Sequence, residues 1–126
     1  MQNLQVGLNL LWDASRKVIK LAEWFRDKKN QKGFRKSHSW LWDIKRLFRI
    51  TSKTAVSGGA NKEERVQNDV RQYLDTCRKI EKKAIELSNK LALSILDPVE
   101  MVQKRELDYF IKMQNKHIDL VDRRLL

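Results

Sequence analysis

The sequence has 126 residues, of which 41% are hydrophobic and 34% are charged, with four glycines, one proline and one cysteine. A chain of this length makes about one domain, and its apolar fraction excludes a disordered composition. The single cysteine excludes an internal disulfide. The scarcity of glycine and proline favours long helices over a many-stranded sheet. The net charge of +11 favours an acidic partner over a basic one.

The first predicted helix runs from about residue 4 to residue 29. Its apolar side chains follow alternating steps of four and three, which places one stripe of the helix in a core: Leu4, Leu8, Leu11, Ser15, Val18, Ala22 and Phe25. Residues 30–33 break this pattern, and Ser37 or Ser39 can cap a second helix that ends at about Ala55. The apolar side chains of the second helix are Trp40, Leu41, Ile44, Leu47 and Phe48.

Residues 57–61 are the clearest predicted loop, because they contain two adjacent glycines and Asn61, which can cap the next helix. The third helix carries an unbroken heptad seam: Val66, Val70, Tyr73, Cys77, Ile80, Ala84, Leu87 and Leu91. It is predicted to end near Leu96, because Pro98 disfavours helical geometry at Asp97. Asp97 then caps a fourth helix whose apolar side chains are Leu107, Ile111, Ile118, Val121 and Leu125.

These elements predict an all-α bundle of about four helices that contains a long antiparallel helical hairpin. Residues 1–57 are expected to form a basic N-terminal helical pair, and residues 58–126 are expected to form the hairpin. The two segments together are expected to make one structural unit, part of a larger protein. The heptad seam over residues 66–91 also suggests self-association of the chain.

The positive charge is concentrated in the first half of the sequence. Between Arg16 and Lys53 there are thirteen basic and three acidic residues, whereas residues 54–126 contain fourteen basic and twelve acidic ones. Lys and Arg alternate there with Trp24, Phe34, Trp40, Trp42 and Phe48, a mixture typical of DNA or RNA contact that is made mostly to phosphates. The candidate nucleic-acid-binding residues are Arg16, Lys20, Arg26, Lys28, Lys29, Lys32, Arg35, Lys36, Lys45, Arg46 and Arg49. The alternative is that Trp40, Ile44, Leu47 and Phe48 form one core stripe while the lysines only solvate the opposite face.

Other reactive side chains fit structural roles better than catalytic ones. Asp108, Asp119 and Asp122 lie near His117, but they alternate with Lys and Arg and are expected to form surface ion pairs instead of a metal site. Cys77 falls on the heptad seam as a small apolar residue, and Gly58-Gly59 lacks the pattern of a phosphate-binding loop. We expect no cofactor, no catalytic residue and no metal ligand. The sequence has neither a secretion signal nor an apolar run of about 18 residues, so we expect a cytoplasmic protein with no membrane partner.

Two blocks of the sequence resemble a known family. Residues 10–19, Leu-Leu-Trp-Asp-Ala-Ser-Arg-Lys-Val-Ile, are similar to a segment of bacterial insertion-sequence transposases of the DDE type, the ISNCY-like group in particular. Residues 107–110, Leu-Asp-Tyr-Phe, followed by His117-Ile118-Asp119 and Arg123-Arg124-Leu125-Leu126, are similar to another helix of that family. The resemblance covers nearly the whole chain, although only these two blocks are distinctive.

The resemblance implies an internal helical fragment of a transposase. In the family these helices lie between the first catalytic Asp and the later acidic residues, and Asp13 matches a helix of the family, not the catalytic Asp. The fragment would contact DNA or support the catalytic domain without catalysis of its own, and Mg²⁺ would bind only the full-length parent. The uncapped end at Leu126 agrees with truncation. The alternative function is a small basic helical interaction module, either a coiled-coil or a nucleic-acid-binding protein.

Overall fold

A computed structural model describes residues 2–28, 40–58 and 64–124, and four helices account for most of them. They are α1 (Gln2–Lys28), α2 (Trp40–Gly58), α3 (Glu64–Ala92) and α4 (Pro98–Arg124). Within these described ranges there is no strand. The predicted all-α bundle of four helices is therefore confirmed.

The helix boundaries agree with the predictions to within a few residues. Helix α2 continues past the predicted end at Ala55 and includes Ser57 and Gly58, which were predicted to belong to the loop. The rest of that loop with Asn61, the break at residues 30–33, and the candidate caps Ser37 and Ser39 lie outside the described residues.

The turn between α3 and α4 begins earlier than the sequence predicts. Helix α3 ends at Ala92, not near Leu96, because the amides of Leu93 and Ser94 donate to carbonyls three residues back, at 3.2 and 3.1 Å, which tightens the last turn. The start of α4 is as predicted. The Glu100 amide donates to Asp97 Oδ1 at 2.8 Å, and the Asp97 amide donates to Glu100 Oε1 at 3.1 Å, which makes a capping box with Pro98 at the first helical position.

Each helix runs antiparallel to the next one in the chain, and α4 also runs antiparallel to α1. Contacts between residues at the same level along the bundle axis fix these directions. For α1 and α2 they join Glu23 with Lys45 and Trp12 with Phe48. For α3 and α4 they join Arg78 with Asp122 and Ser88 with Asp108, and for α1 and α4 they join Lys28 with Asp97. Contacts of α2 with α3 close the ring of four helices. The result is an up-down-up-down bundle that includes the predicted hairpin.

The predicted apolar stripes form one core. All seven stripe positions of α1 are buried, as are the seam positions of α3 from Val70 to Leu91 and, in α4, Leu107, Ile111, Ile118 and Val121. The side chain of Val66 and the whole of Leu125 lie outside the described part of the chain. Because the seam packs against the other helices of the same chain, self-association through it requires the bundle to open. No helix among the described residues is long and apolar enough to span a bilayer.

Candidate nucleic-acid interface

The outer surface of α2 carries an aromatic ring and three cations in one row. Its buried surface is formed by Leu41, Ile44 and Phe48, which follow the helical repeat, with Ser52 and Ala55 further along. Trp42, Arg46, Arg49 and Lys53 follow the same repeat on a side of the helix rotated by about 130° from the buried one, and all four are exposed. We call these four residues the α2 ridge. From Arg46 to Lys53 the ridge extends along the helix axis by about 10 Å.

Arg46 and Arg49 make no ion pair with any described residue, so their guanidinium groups are available to an anionic ligand. The predicted cations beside the ridge differ in this respect. Lys45 Nζ lies 2.9 Å from Glu23 Oε2, and Arg26 lies 3.8 Å from Glu23 and 3.1 Å from Asp27. Their charge is therefore largely balanced within α1 and α2, which makes them weaker candidates for phosphate contact than the two ridge arginines.

The predicted cations of α1 differ from one another in the partners of their side chains. Arg16 and Lys20 are exposed, and the Arg16 guanidinium lies 5.2 Å from the centre of the Trp12 ring. That ring stacks on Phe48 of α2, with centroids 6.4 Å apart, so Arg16 lies on the side of α1 that faces α2. Lys28 is exposed but pairs with Asp97 at 3.9 Å, at the end of the bundle. The remaining candidates, Lys29, Lys32, Arg35 and Lys36, lie outside the described residues, as does Phe34.

The aromatic residues of this region separate into core and surface groups. Phe48 is buried, and Trp24 and Trp40 pack partly against the core. Trp42, in contrast, is 79% exposed. The expectation that Leu47 joins the core stripe is wrong: Leu47 is 41% exposed, because α2 buries the arc that contains Ser52 and Ala55. The spacing of Trp42 with the cations, out of phase with Leu41, Ile44 and Phe48, is the sequence signal that identifies the ridge.

A second polar cluster lies inside the bundle. Gln114 Nε2 donates to Ser15 Oγ at 2.8 Å and to the Cys77 carbonyl at 3.2 Å, and the Ser15 hydroxyl donates to Cys77 Sγ at 3.5 Å. Burial raises the pKa of the Cys77 thiol to about 12 and also raises the pKa of Tyr73 above its ordinary value. Cys77 is therefore a neutral thiol buried in the core, as its place on the heptad seam predicts, and its hydrogen bonds to α1 and α4 are an addition that the seam does not predict.

Asp108 and Asp122 of α4 form the ion pairs that the sequence predicts, whereas Asp119, for which the same was expected, is exposed and pairs with no described residue. Asp108 accepts hydrogen bonds from Lys104, at 2.7 Å, and from Ser88, and Asp122 pairs with Arg78 at 3.3 Å. His117 is buried, and burial lowers the pKa of its imidazole below the ordinary value. In the described part of the chain no three His, Cys, Asp or Glu side chains are close enough to hold a metal ion.

Comparisons with known proteins identify no relative. No protein-family model matches the chain, and neither does a curated protein or a solved structure. The geometry of the helices and their charges is therefore the basis for any functional assignment.

Proposed function

We propose that this chain binds nucleic acid through the α2 ridge. The observation that supports the proposal is the pair of exposed arginines, Arg46 and Arg49, which have no acidic partner among the described residues. A guanidinium group can form two parallel hydrogen bonds with a phosphate, and it loses less hydration than an ammonium group when it does so. Neighbouring ridge cations at helical spacing suit a row of phosphates, a contact that positions a protein without reading base sequence.

The resemblance to DDE transposases gives this activity a context. We propose that the bundle is the helical region of such an enzyme, placed between its catalytic acids, and that it contacts DNA or supports the catalytic domain without catalysis of its own. Cleavage of DNA by the purified chain in the presence of magnesium or manganese would contradict this part of the proposal.

Binding across a salt series tests the interface. The affinity for a fluorescein-labelled oligonucleotide of mixed sequence is measured by anisotropy between 50 and 200 mM NaCl, for the natural chain and for R46A/R49A. Each phosphate contact contributes about 0.7 to 0.9 to the slope of log affinity against log salt, so the double variant is expected to lower that slope by about 1.4 to 1.8.

A matched control removes two arginines elsewhere. Arg71 in α3 and Arg105 in α4 are also exposed and make no ion pair with described residues, so R71A/R105A changes the net charge equally. We expect this control to retain most of the salt slope. Equal losses in the two double variants would show attraction by net charge alone and would contradict the assignment to α2. Negligible salt dependence of the natural chain would instead favour the helical interaction module.

A further inference from the structure

Trp42 is a tryptophan whose side chain lies mostly in solvent, on the surface of the bundle. It is 79% exposed and makes no ring contact with a described residue. The rings of Trp12 and Trp24, in contrast, pack on Phe48 and Phe25, with centroids 6.4 and 5.0 Å apart. A large aromatic side chain left mostly in water contributes little burial energy to folding, but it offers a flat apolar face to a ligand.

The ring of Trp42 lies on the same side of α2 as the two arginines of the ridge. Arg46 is one helical turn after Trp42, and Arg49 is about two turns after it, on the same side of the helix. A ligand that contacts the ring therefore also reaches the two guanidinium groups. Single-stranded nucleic acid has both matching features, since every unpaired base has a π-face and every nucleotide has a phosphate.

We propose that the ligand of the α2 ridge is nucleic acid with unpaired bases, one of which stacks on Trp42 while Arg46 and Arg49 bind the neighbouring phosphates. This inference rests on the proposed function and specifies its substrate class. Inside a duplex both faces of a base are covered by adjacent base pairs, so Trp42 gains a stacking partner there only if the duplex is unstacked. The ridge therefore favours single strands, frayed ends or junctions over continuous duplex.

A lipid surface suits the ridge less well. Helices that lie in a membrane interface present an apolar outermost face with cations at its edges. On α2 the cations Arg46, Arg49 and Lys53 lie in one row with the ring, and the exposed apolar residues Leu47 and Ile50 lie beside this row. Insertion of Trp42 into lipid would place these charged groups in the apolar layer as well.

The test compares one labelled oligothymidine, which has no secondary structure, with a duplex of the same length, and both ligands are titrated at the same series of salt concentrations. Loss of one base–aromatic stack lowers affinity by about 5- to 150-fold, so W42A is expected to weaken oligothymidine binding by a factor in this range. Duplex binding is expected to change by less than about twofold. W42Y keeps a stacking ring and is expected to restore most of the affinity, and the salt slope of W42A is expected to equal that of the natural chain.

Tyr109 provides the matched control, because it is a second exposed aromatic residue, 56% exposed, on α4. Y109A is expected to bind oligothymidine as the natural chain does. Circular dichroism and thermal unfolding of W42A are expected to match those of the natural chain, since substitution of an exposed side chain changes stability by roughly 0.5 kcal/mol or less.

The outcomes separate the two proposals. If the ridge arginines set the salt slope but W42A binds both ligands normally, the stacking inference is overturned and the proposed function stands. If neither ligand binds, both proposals fail. If Trp42 is needed instead for binding to vesicles of phosphatidylcholine and phosphatidylglycerol, with no oligothymidine binding, the ridge is a lipid-binding surface and both proposals are overturned.

Discussion

His117 is the buried side chain of α4 whose ionisation bears on stability near neutral pH. It is 7% exposed, and its Nδ1 has no hydrogen-bond partner among the described residues. Burial is the main cause that lowers the pKa of the imidazole below 6.5, and the positive charge of the adjacent Lys116 adds to it. The folded chain therefore holds this imidazole neutral at a pH where the unfolded chain would protonate it.

The expected consequence is a loss of stability on acidification. As the pH falls from 7.5 to 5.5, the unfolded chain binds a proton at His117 while the imidazole of the folded chain stays neutral. The free energy of unfolding therefore decreases in this window. Below the pKa of His117 in the folded chain, both states are protonated and the decrease stops. Urea unfolding at several pH values measures this. H117Q removes the titrating group and is expected to flatten the profile in this window. Identical profiles for the natural chain and H117Q would assign the pH dependence to other groups.

Single residues also show how far periodicity alone can predict this structure. The stripe of α1 was identified because steps of four and three place side chains on one face, whatever the neighbouring helix is. The exposure of Leu47 was not, because Leu47 adjoins Phe48 and only the positions of α1 and α3 decide which arc of α2 is covered. The contact between Ser15 and Gln114 joins residues 99 positions apart, so no local pattern contains it.

At the scale of helices, the turn between α3 and α4 shows which helix ends are set by local sequence and which are not. The start of α4 was predicted because Asp97, Pro98 and Glu100 form a local capping signal. The end of α3 at Ala92 was not, because the sequence up to Leu96 contains no residue that forbids a helix. The α2 ridge is similar: its spacing is visible in the sequence, but the ion pair that Lys45 makes with Glu23, and that Arg46 and Arg49 do not make, depends on how α1 packs on α2.

The approach of α1 to α4 depends on the absence of a side chain at Gly7. A Cβ at this position would lie 3.1 Å from Val121 Cγ2, closer than ordinary van der Waals contact. Val121 is fully buried and β-branched, so it has little freedom to rotate away. Alanine would favour the helix by about 1 kcal/mol over glycine, but overpacking costs roughly 1–3 kcal/mol.

We therefore expect G7A to destabilise the natural chain and to stabilise the V121A variant, in which the opposing methyl group is absent. Urea unfolding of the four chains of this double-mutant cycle measures the coupling between the two positions. A stabilising effect of G7A in both backgrounds would mean that the helices separate at little cost, and would contradict close packing of α1 on α4 at this height.

At the scale of the whole molecule, the buried residues form one cluster that includes side chains from all four helices. The ring of Phe48 in α2 lies between those of Trp12 in α1 and Tyr73 in α3, at 6.4 and 5.9 Å. Gln114 of α4 contacts both Ser15 of α1 and Cys77 of α3. Because the N-terminal helical pair and the hairpin share this core, neither segment can lose its packing without exposing apolar surface of the other.

The positions of the tryptophans allow this shared core to be tested. All four tryptophans, at residues 12, 24, 40 and 42, belong to the N-terminal pair, whereas circular dichroism at 222 nm reports on every helix. If the bundle unfolds as one cooperative unit, the two signals are expected to follow the same urea transition. Two separate transitions would contradict a common core and would identify residues 1–57 and 58–126 as independent units.

A substitution that creates a cavity in the hairpin tests the shared core more directly. Leu107 of α4 is fully buried and distant in sequence from every tryptophan, and L107A is expected to lower the free energy of unfolding by about 2–5 kcal/mol. Because the core is shared, tryptophan fluorescence is expected to report the whole of this loss, although the substitution lies in the other segment. Y109A, at a position of the same helix that is 56% exposed, removes only an edge contact with Phe110 and is the control, expected to shift both transitions by far less than L107A does. A fluorescence transition unaffected by L107A would show that α4 does not support the helix that carries the α2 ridge.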